Sequence, residues 1–183
     1  MTEPIAVIGI DPGSRWTAAV LRIDDTPVYG WTLGPLNIAG ALDAAALDNP
    51  RSEGYYEALS RTLERLIGAV GDLEARAQRI TGERPWIGVE TVTIPHLGGR
   101  IRLAAWLVTR DIVVGLMGAR PTAAIVDPAK AGPAAHYPAA LVGKPRADWG
   151  PVESYRRERD HERAAWDVTE ALMGALTGAE VTS

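Results

Sequence analysis

The sequence predicts an α/β fold built on a mixed five-stranded sheet with helices on both faces, and three observations carry that expectation. Two short apolar runs, Val7 to Ile10 and Trp86 to Val89, each end in an acid, Asp11 and Glu90, and read as buried strands. Two longer stretches, Ser52 to Ile80 and Arg100 to Met117, repeat apolar residues at spacings of three and four, the mark of helices. The chain opens on three β segments joined by short turns and continues as helix, strand, helix, strand, helix. A meander followed by that alternation implies a mixed sheet covered on both sides.

Each element has its own justification. Val7, Ile8 and Ile10 with Gly9 form a run that satisfies its backbone only inside a sheet, and Pro12-Gly13-Ser14 then reverses the chain. Thr17 to Ile23 alternates Thr17, Ala19, Leu21 and Ile23 against Ala18, Val20 and Arg22, and Pro27 to Leu33 closes the meander. Gly34 to Pro50 has no sustained period and reads as a loop with room for a short helical turn. In Ser52 to Ile80 the apolar stripe is Leu59, Leu63, Leu66, Ile67, Val70, Leu73 and Ala77, with Arg61, Glu64, Arg65, Glu74 and Arg76 on a solvated face. Gly82 to Pro85 breaks that helix, and Trp86 to Glu90 repeats the opening logic of an apolar strand ending in an acid. Thr91 to Gly99 is a loop, Thr122 to Val126 a further strand, and Ala129 to Pro151 a long irregular segment of the kind that is usually functional. Val152 to Leu176 reads as one helix, or as two meeting near Asp160, ending at Gly178.

With 183 residues, 46% hydrophobic and a net charge of -4, the chain fits one domain spanning residues 1–183. It has no cysteine, which excludes a disulfide framework and a thiolate metal site. No apolar run approaches the roughly 20 residues that span a bilayer, and Met1-Thr2-Glu3-Pro4 does not open a signal peptide. A cytoplasmic protein with no membrane partner is expected. The acidic balance argues against a broad basic surface for duplex DNA, yet carboxylates gathered around metal ions would carry that charge inside a site.

The acids themselves are the chemical signal. If the strands ending at Asp11 and Glu90 are parallel neighbours, both side chains emerge at one sheet edge. Asp167 and Glu170, three residues apart, share a helical face, while Val168, Leu172, Ala175 and Leu176 form the stripe packed on the sheet. Four carboxylates converging with no basic partner repel one another unless cations neutralise them. Oxygen donors of this kind suit Mg2+, with Mn2+ as substitute. Two such ions about 4 Å apart can activate water and stabilise the leaving oxygen of a phosphodiester, which is nuclease chemistry.

Three segments, Ile8-Gly9-Ile10-Asp11-Pro12-Gly13-Ser14-Arg15, Ile87-Gly88-Val89-Glu90 and Asp167-Val168-Thr169-Glu170-Ala171-Leu172, resemble the RuvC-type Holliday-junction resolvases of the ribonuclease H-like superfamily, including phage-borne relatives. The resemblance implies a ribonuclease H-like fold and a Mg2+-dependent endonuclease, usually a homodimer, that nicks opposing strands of a four-way DNA junction. It also implies that Asp11, Glu90 and Asp167 are metal ligands, with Glu170 in a fourth acidic position where the family usually has Asp. The phage relatives tend to carry a His upstream of the last acid, and His161 is the candidate for a base or ligand. At about 100° per residue, however, His161 lies about 120° round from Asp167 on the packed stripe, so it is expected to reach the site only if the helix begins after it.

Lys130 is a further catalytic candidate, placed to touch a scissile phosphate, since basic residues in this region assist catalysis in the family. Arg156, Arg157, Arg159 and Arg163, with Arg100 and Arg102, form either a phosphate-binding set or a solvated ion-pair face. His96 with Gly98-Gly99 is a candidate DNA-facing loop, and the apolar Arg100 to Met117 helix a candidate dimer interface. Two other readings compete. A catalytically idle protein that only binds branched DNA would have little use for the acids. An actin-like or sugar-kinase-type ATP-binding domain shares the opening strand, Asp-x-Gly turn and strand, but needs a second domain and a second phosphate loop.

Overall fold

The structure is a computed structural model that describes residues 3–34, 46–47, 49–50, 52–92, 103–127, 134–144, 147–154 and 159–178. Its strands are β1 (Ala6–Asp11), β2 (Thr17–Ile23), β3 (Thr26–Leu33), β4 (Trp86–Glu90) and β5 (Ala124–Val126), and its helices are α1 (Gly54–Thr81), α2 (Leu103–Ala119) and α3 (Asp160–Thr177). Two single 3-10 turns, Ala134–His136 and Ala139–Leu141, interrupt the segment between β5 and α3.

The sheet order is β3-β2-β1-β4-β5, with β1 and β2 antiparallel, β2 and β3 antiparallel, and β1, β4 and β5 parallel. The expected mixed sheet is therefore present, and the run before Asp11 is its central strand. Alternation along β1 divides the core. Ile8 and Ile10, with Ala19, Leu21 and Val89, meet the apolar stripe of α1 and the buried Val108, Ile112 and Leu116 of α2. On the other face Val7 packs with Val168 and Leu172 of α3, and Ala18 and Val20 pack with Ala165 and Trp166. Helices cover both faces because each inner strand is apolar on both.

The α1 helix buries Leu59, Leu66, Val70, Leu73 and Ala77 as its period requires, and stops at Gly82, whose φ of 81° lies in the left-handed region open to glycine. Two boundaries differ from the sequence reading. Ala123 N–H bonds back to Arg120 O in a turn, so β5 starts at Ala124 rather than Thr122. The last helix starts at Asp160, and residues 151–153, which the sequence reading placed in or beside it, run along β3 instead. Thr32 N–H donates to Pro151 O, Glu153 N–H donates to Thr32 O, and Val152 bridges Thr32 in parallel. An edge strand leaves backbone groups unpaired, and this segment meets those of β3. Among the described residues no helix is long and apolar enough to cross a membrane.

Candidate active site

Strand register sets the first pair of acids. Gly9 pairs with Gly88 and Ile10 with Val89, which brings the next residues, Asp11 and Glu90, level at the carboxyl ends of two parallel neighbours. A glycine stands two positions before each acid on the same face, and α3 lies directly over both. A Cβ at Gly9 would stand 2.1 Å from Ala165 O and 2.7 Å from Thr169 Cγ2, and one at Gly88 would stand 3.0 Å from Val168 Cγ1. The shared Gly-x-acid spacing was readable in the sequence, as a sign that a second backbone passes close behind the acids.

The two carboxyls are hydrogen-bonded to each other. Burial, above all, pushes Glu90 up to about 8, and the bond to Asp11 and the negative charges of Asp11 and Asp167 push the same way. Near neutral pH Glu90 therefore favours its protonated form. Because the folded-state value lies above the unfolded one, 4.5, the folded protein binds the extra proton between pH 4.5 and 8, and stability falls as pH rises through that window. A divalent ion bound here would displace the proton. Added Mn2+ is expected to raise the melting temperature more at pH 8.5 than at pH 5.5; equal shifts in thermal melts would place the ion elsewhere.

His161 meets this pair. Its Nδ1 lies 3.2 Å from Asp11 Oδ2, although α3 begins one residue earlier, at Asp160. The expectation that His161 would be kept from the site unless the helix began after it is thus corrected. It does lie on the stripe with Ala165, Val168 and Leu172, but β1 ends at Asp11 beneath the first turn of α3. A residue of the packing face there overhangs the strand ends and faces acids instead of core.

Asp167 and Glu170 part company. Tyr137 donates its hydroxyl to Asp167 Oδ2 at 2.8 Å. Burial raises the Asp167 pKa, Tyr137 lowers it, and the charge of Glu170 raises it further. Glu170 itself is paired with Arg22, which also bonds Asp25 and sits 4.7 Å over the Trp166 ring. Four acids converging without a basic partner is therefore not what the fold contains. Arg22 stands opposite Val7 in the sheet, whereas Asp11 stands opposite Ala18, so four residues of strand, about 13 Å, separate the two levels. Glu170 ties the middle of α3 to β2 and stands apart from the Asp11–Glu90 pair.

Tyr137 and Arg22 are the residues that sequence reasoning missed. Tyr137 sits in an irregular segment with no period to assign it a face. A buried network holds that segment on α3: Arg159 Nε donates to Glu162 Oε2 at 3.1 Å, Trp149 Nε1 donates to Glu162 Oε1 at 3.3 Å, and Arg159 also donates to Ala140 O. Arg159 and Glu162 are 1% and 0% exposed, so Arg159, expected among phosphate-binding or surface arginines, is an internal brace. Burial raises the Glu162 pKa, and Arg159 opposes it. Arg163 pairs with Asp160.

A cavity of about 360 Å3 opens beside the acid pair, with Gly13 and Ser14 on one side and Ala105, Trp106 and Thr109 of α2 on the other. Among the described residues, no three acidic or imidazole groups stand in a geometry that could hold a metal ion. Lys130, His96, Gly98-Gly99, Arg100, Arg102, Arg156 and Arg157 lie outside the described residues. No protein-family model matches the chain, and no curated protein matches it.

Proposed function

We propose that the chain is a Mg2+-dependent endonuclease of RuvC type, on a ribonuclease H-like scaffold, that cuts four-way junctions or related branched DNA. The observation that carries this reading is the Asp11–Glu90 pair, two acids level on adjacent parallel strands, with burial and the neighbouring Asp11 pushing Glu90 towards its protonated form. Where neighbouring acids resist ionising together, a cation can take the place of the proton. The all-oxygen donors there fit Mg2+ or Mn2+; Asp11 and Glu90 would hold the ion, and Asp167 would complete the set by a small shift that keeps its bond to Tyr137. When bound, the ion supplies electrophilic stabilisation to the phosphodiester.

The chain's own residues do the rest. The Nδ1–H of His161 donates to Asp11, which orients the ring and leaves Nε2 free to take a proton from an attacking water. Tyr137 fixes the Asp167 carboxylate from behind. Tyr137→Phe is expected to weaken Mn2+ binding by about 10- to 100-fold, as loss of an outer-shell hydrogen bond does; calorimetry giving wild-type affinity would remove Tyr137 from that role. Glu170 has no place among the ligands here and serves to fix α3 on the sheet. The homodimer that goes with this reading would use α2, where Leu103 and Val114 are exposed.

The direct test is cleavage of a synthetic four-way junction by the purified protein. Product is expected with Mg2+ or Mn2+ and none with EDTA. Junction binding without cutting in either metal would favour the idle DNA-binding reading, and ATP turnover would favour the kinase-like one.

A further inference from the structure

We infer that a second cavity, between β3 and the C-terminal half of α1, binds a free nucleoside monophosphate, its phosphate on Arg76 and Arg79 and its base against Trp31. The inference goes beyond the nuclease reading and stands without it. At about 330 Å3 the space falls within the roughly 300–1,000 Å3 of ligand pockets. In the sheet β2 lies between β3 and the strand that carries Asp11, so this cavity is separate from the acid site.

The arginines of α1 are used unequally. Arg61 holds Glu57, and Arg65 holds Glu153. Asp72 stands four residues before Arg76, the spacing at which helices form ion pairs, yet the Arg76 guanidinium lies 4.0 Å over the Tyr29 ring instead. Among the described residues neither Arg76 nor Arg79 is paired with a carboxylate. Tyr29 is itself stacked on the buried Trp149, with ring centroids 6.1 Å apart. Arg76 thus rests on a fixed shelf with its N–H groups unspent, which lowers the cost of ordering it around a ligand.

Both arginines line the cavity, and two cations match a dianion. A phosphate monoester carries about -1.5 to -2 at neutral pH and fits guanidinium forks bidentately; a carboxylate would leave one cation unanswered. The remaining lining selects what the phosphate is attached to. Trp31, Leu33 and Pro151 form an apolar wall for a flat base, and the buried Trp31 Nε1 has no acceptor, which a base edge seated there can supply. Asp72 on the same lining accepts from a sugar hydroxyl and repels a second phosphate. That favours a free mononucleotide over the end of a nucleic-acid strand.

The test is calorimetry on the full chain in EDTA, which keeps any metal ion from holding phosphate at the acids. Deoxyadenosine 5′-monophosphate is the probe, and it is expected to bind about ten- to a hundredfold tighter than deoxyadenosine or inorganic phosphate. Arg76→Gln and Arg79→Gln should each remove most of that advantage. Arg84→Gln, the same loss of charge at an exposed position outside the cavity, should keep it. Ala75→Trp, which fills the cavity from an exposed position on its lining, should abolish binding. Circular dichroism confirms that each variant is folded, and the exposed positions of Arg79 and Ala75 guard against loss of the fold. No binding of the probe, equal binding of inorganic phosphate, or undiminished binding by folded Arg76→Gln and Ala75→Trp overturns the inference. So does a 5′-phosphorylated DNA strand that binds where the mononucleotide does not. None of these outcomes involves cleavage, so the nuclease reading stands or falls separately on its own junction assay.

Discussion

Asp11→Asn is expected to lower Mg2+-dependent junction cutting by about a thousandfold or more while leaving junction binding in Ca2+ intact. The substitution keeps the shape of the side chain and removes its charge. Two functions depend on that charge in the proposed site, the hold on a cation with Glu90 and the orientation of His161 through its 3.2 Å contact. A bound metal contributes several kcal/mol to transition-state stabilisation, and each 1.36 kcal/mol is a factor of ten in rate. Single-turnover cleavage with a parallel gel-shift titration separates the two effects. Cutting by the variant at the wild-type rate would exclude the acid pair as the reacting centre.

Gly9→Ala is expected to destabilise the fold by about 3 kcal/mol or more, at or beyond the upper end of overpacking penalties. The new Cβ would meet the Ala165 carbonyl at 2.1 Å and the Thr169 amide nitrogen at 2.9 Å. Neither is a flexible side chain, so α3 as a whole must lift from β1. In a chain of this length the melting temperature should fall by roughly 6–12 °C. Gly68→Ala is the control, since a Cβ there meets nothing within 4 Å and lies within α1, where alanine is favoured over glycine by up to about 1 kcal/mol. Equal melting of Gly9→Ala and wild type would refute the close approach of α3.

The strands and helices were legible because their periods are local. Asp11 and Glu90 were legible for the same reason, as acids closing two apolar runs whose pairing β1 to β4 then set them level. Glu170 was not, because its partner Arg22 lies 148 positions earlier in the chain and only the tertiary register of β2 under α3 brings them together. For His161 the helical angle was right and the conclusion was not. An angle says which stripe a residue occupies, but what lies beneath depends on where the strands end. Tyr137 belongs to a segment whose course is decided by burial of Arg159, Glu162 and Trp149, and nothing in its own neighbourhood announces that.

The dryness of the Arg159–Glu162 brace has a practical corollary. Dissolved ions weaken attraction between exposed charges but reach a fully enclosed pair far less, whereas affinity for a polyanion drops steeply as salt is added. Concentrated sodium chloride should therefore strip adhering nucleic acid from the protein during purification without loosening the segment that carries Tyr137.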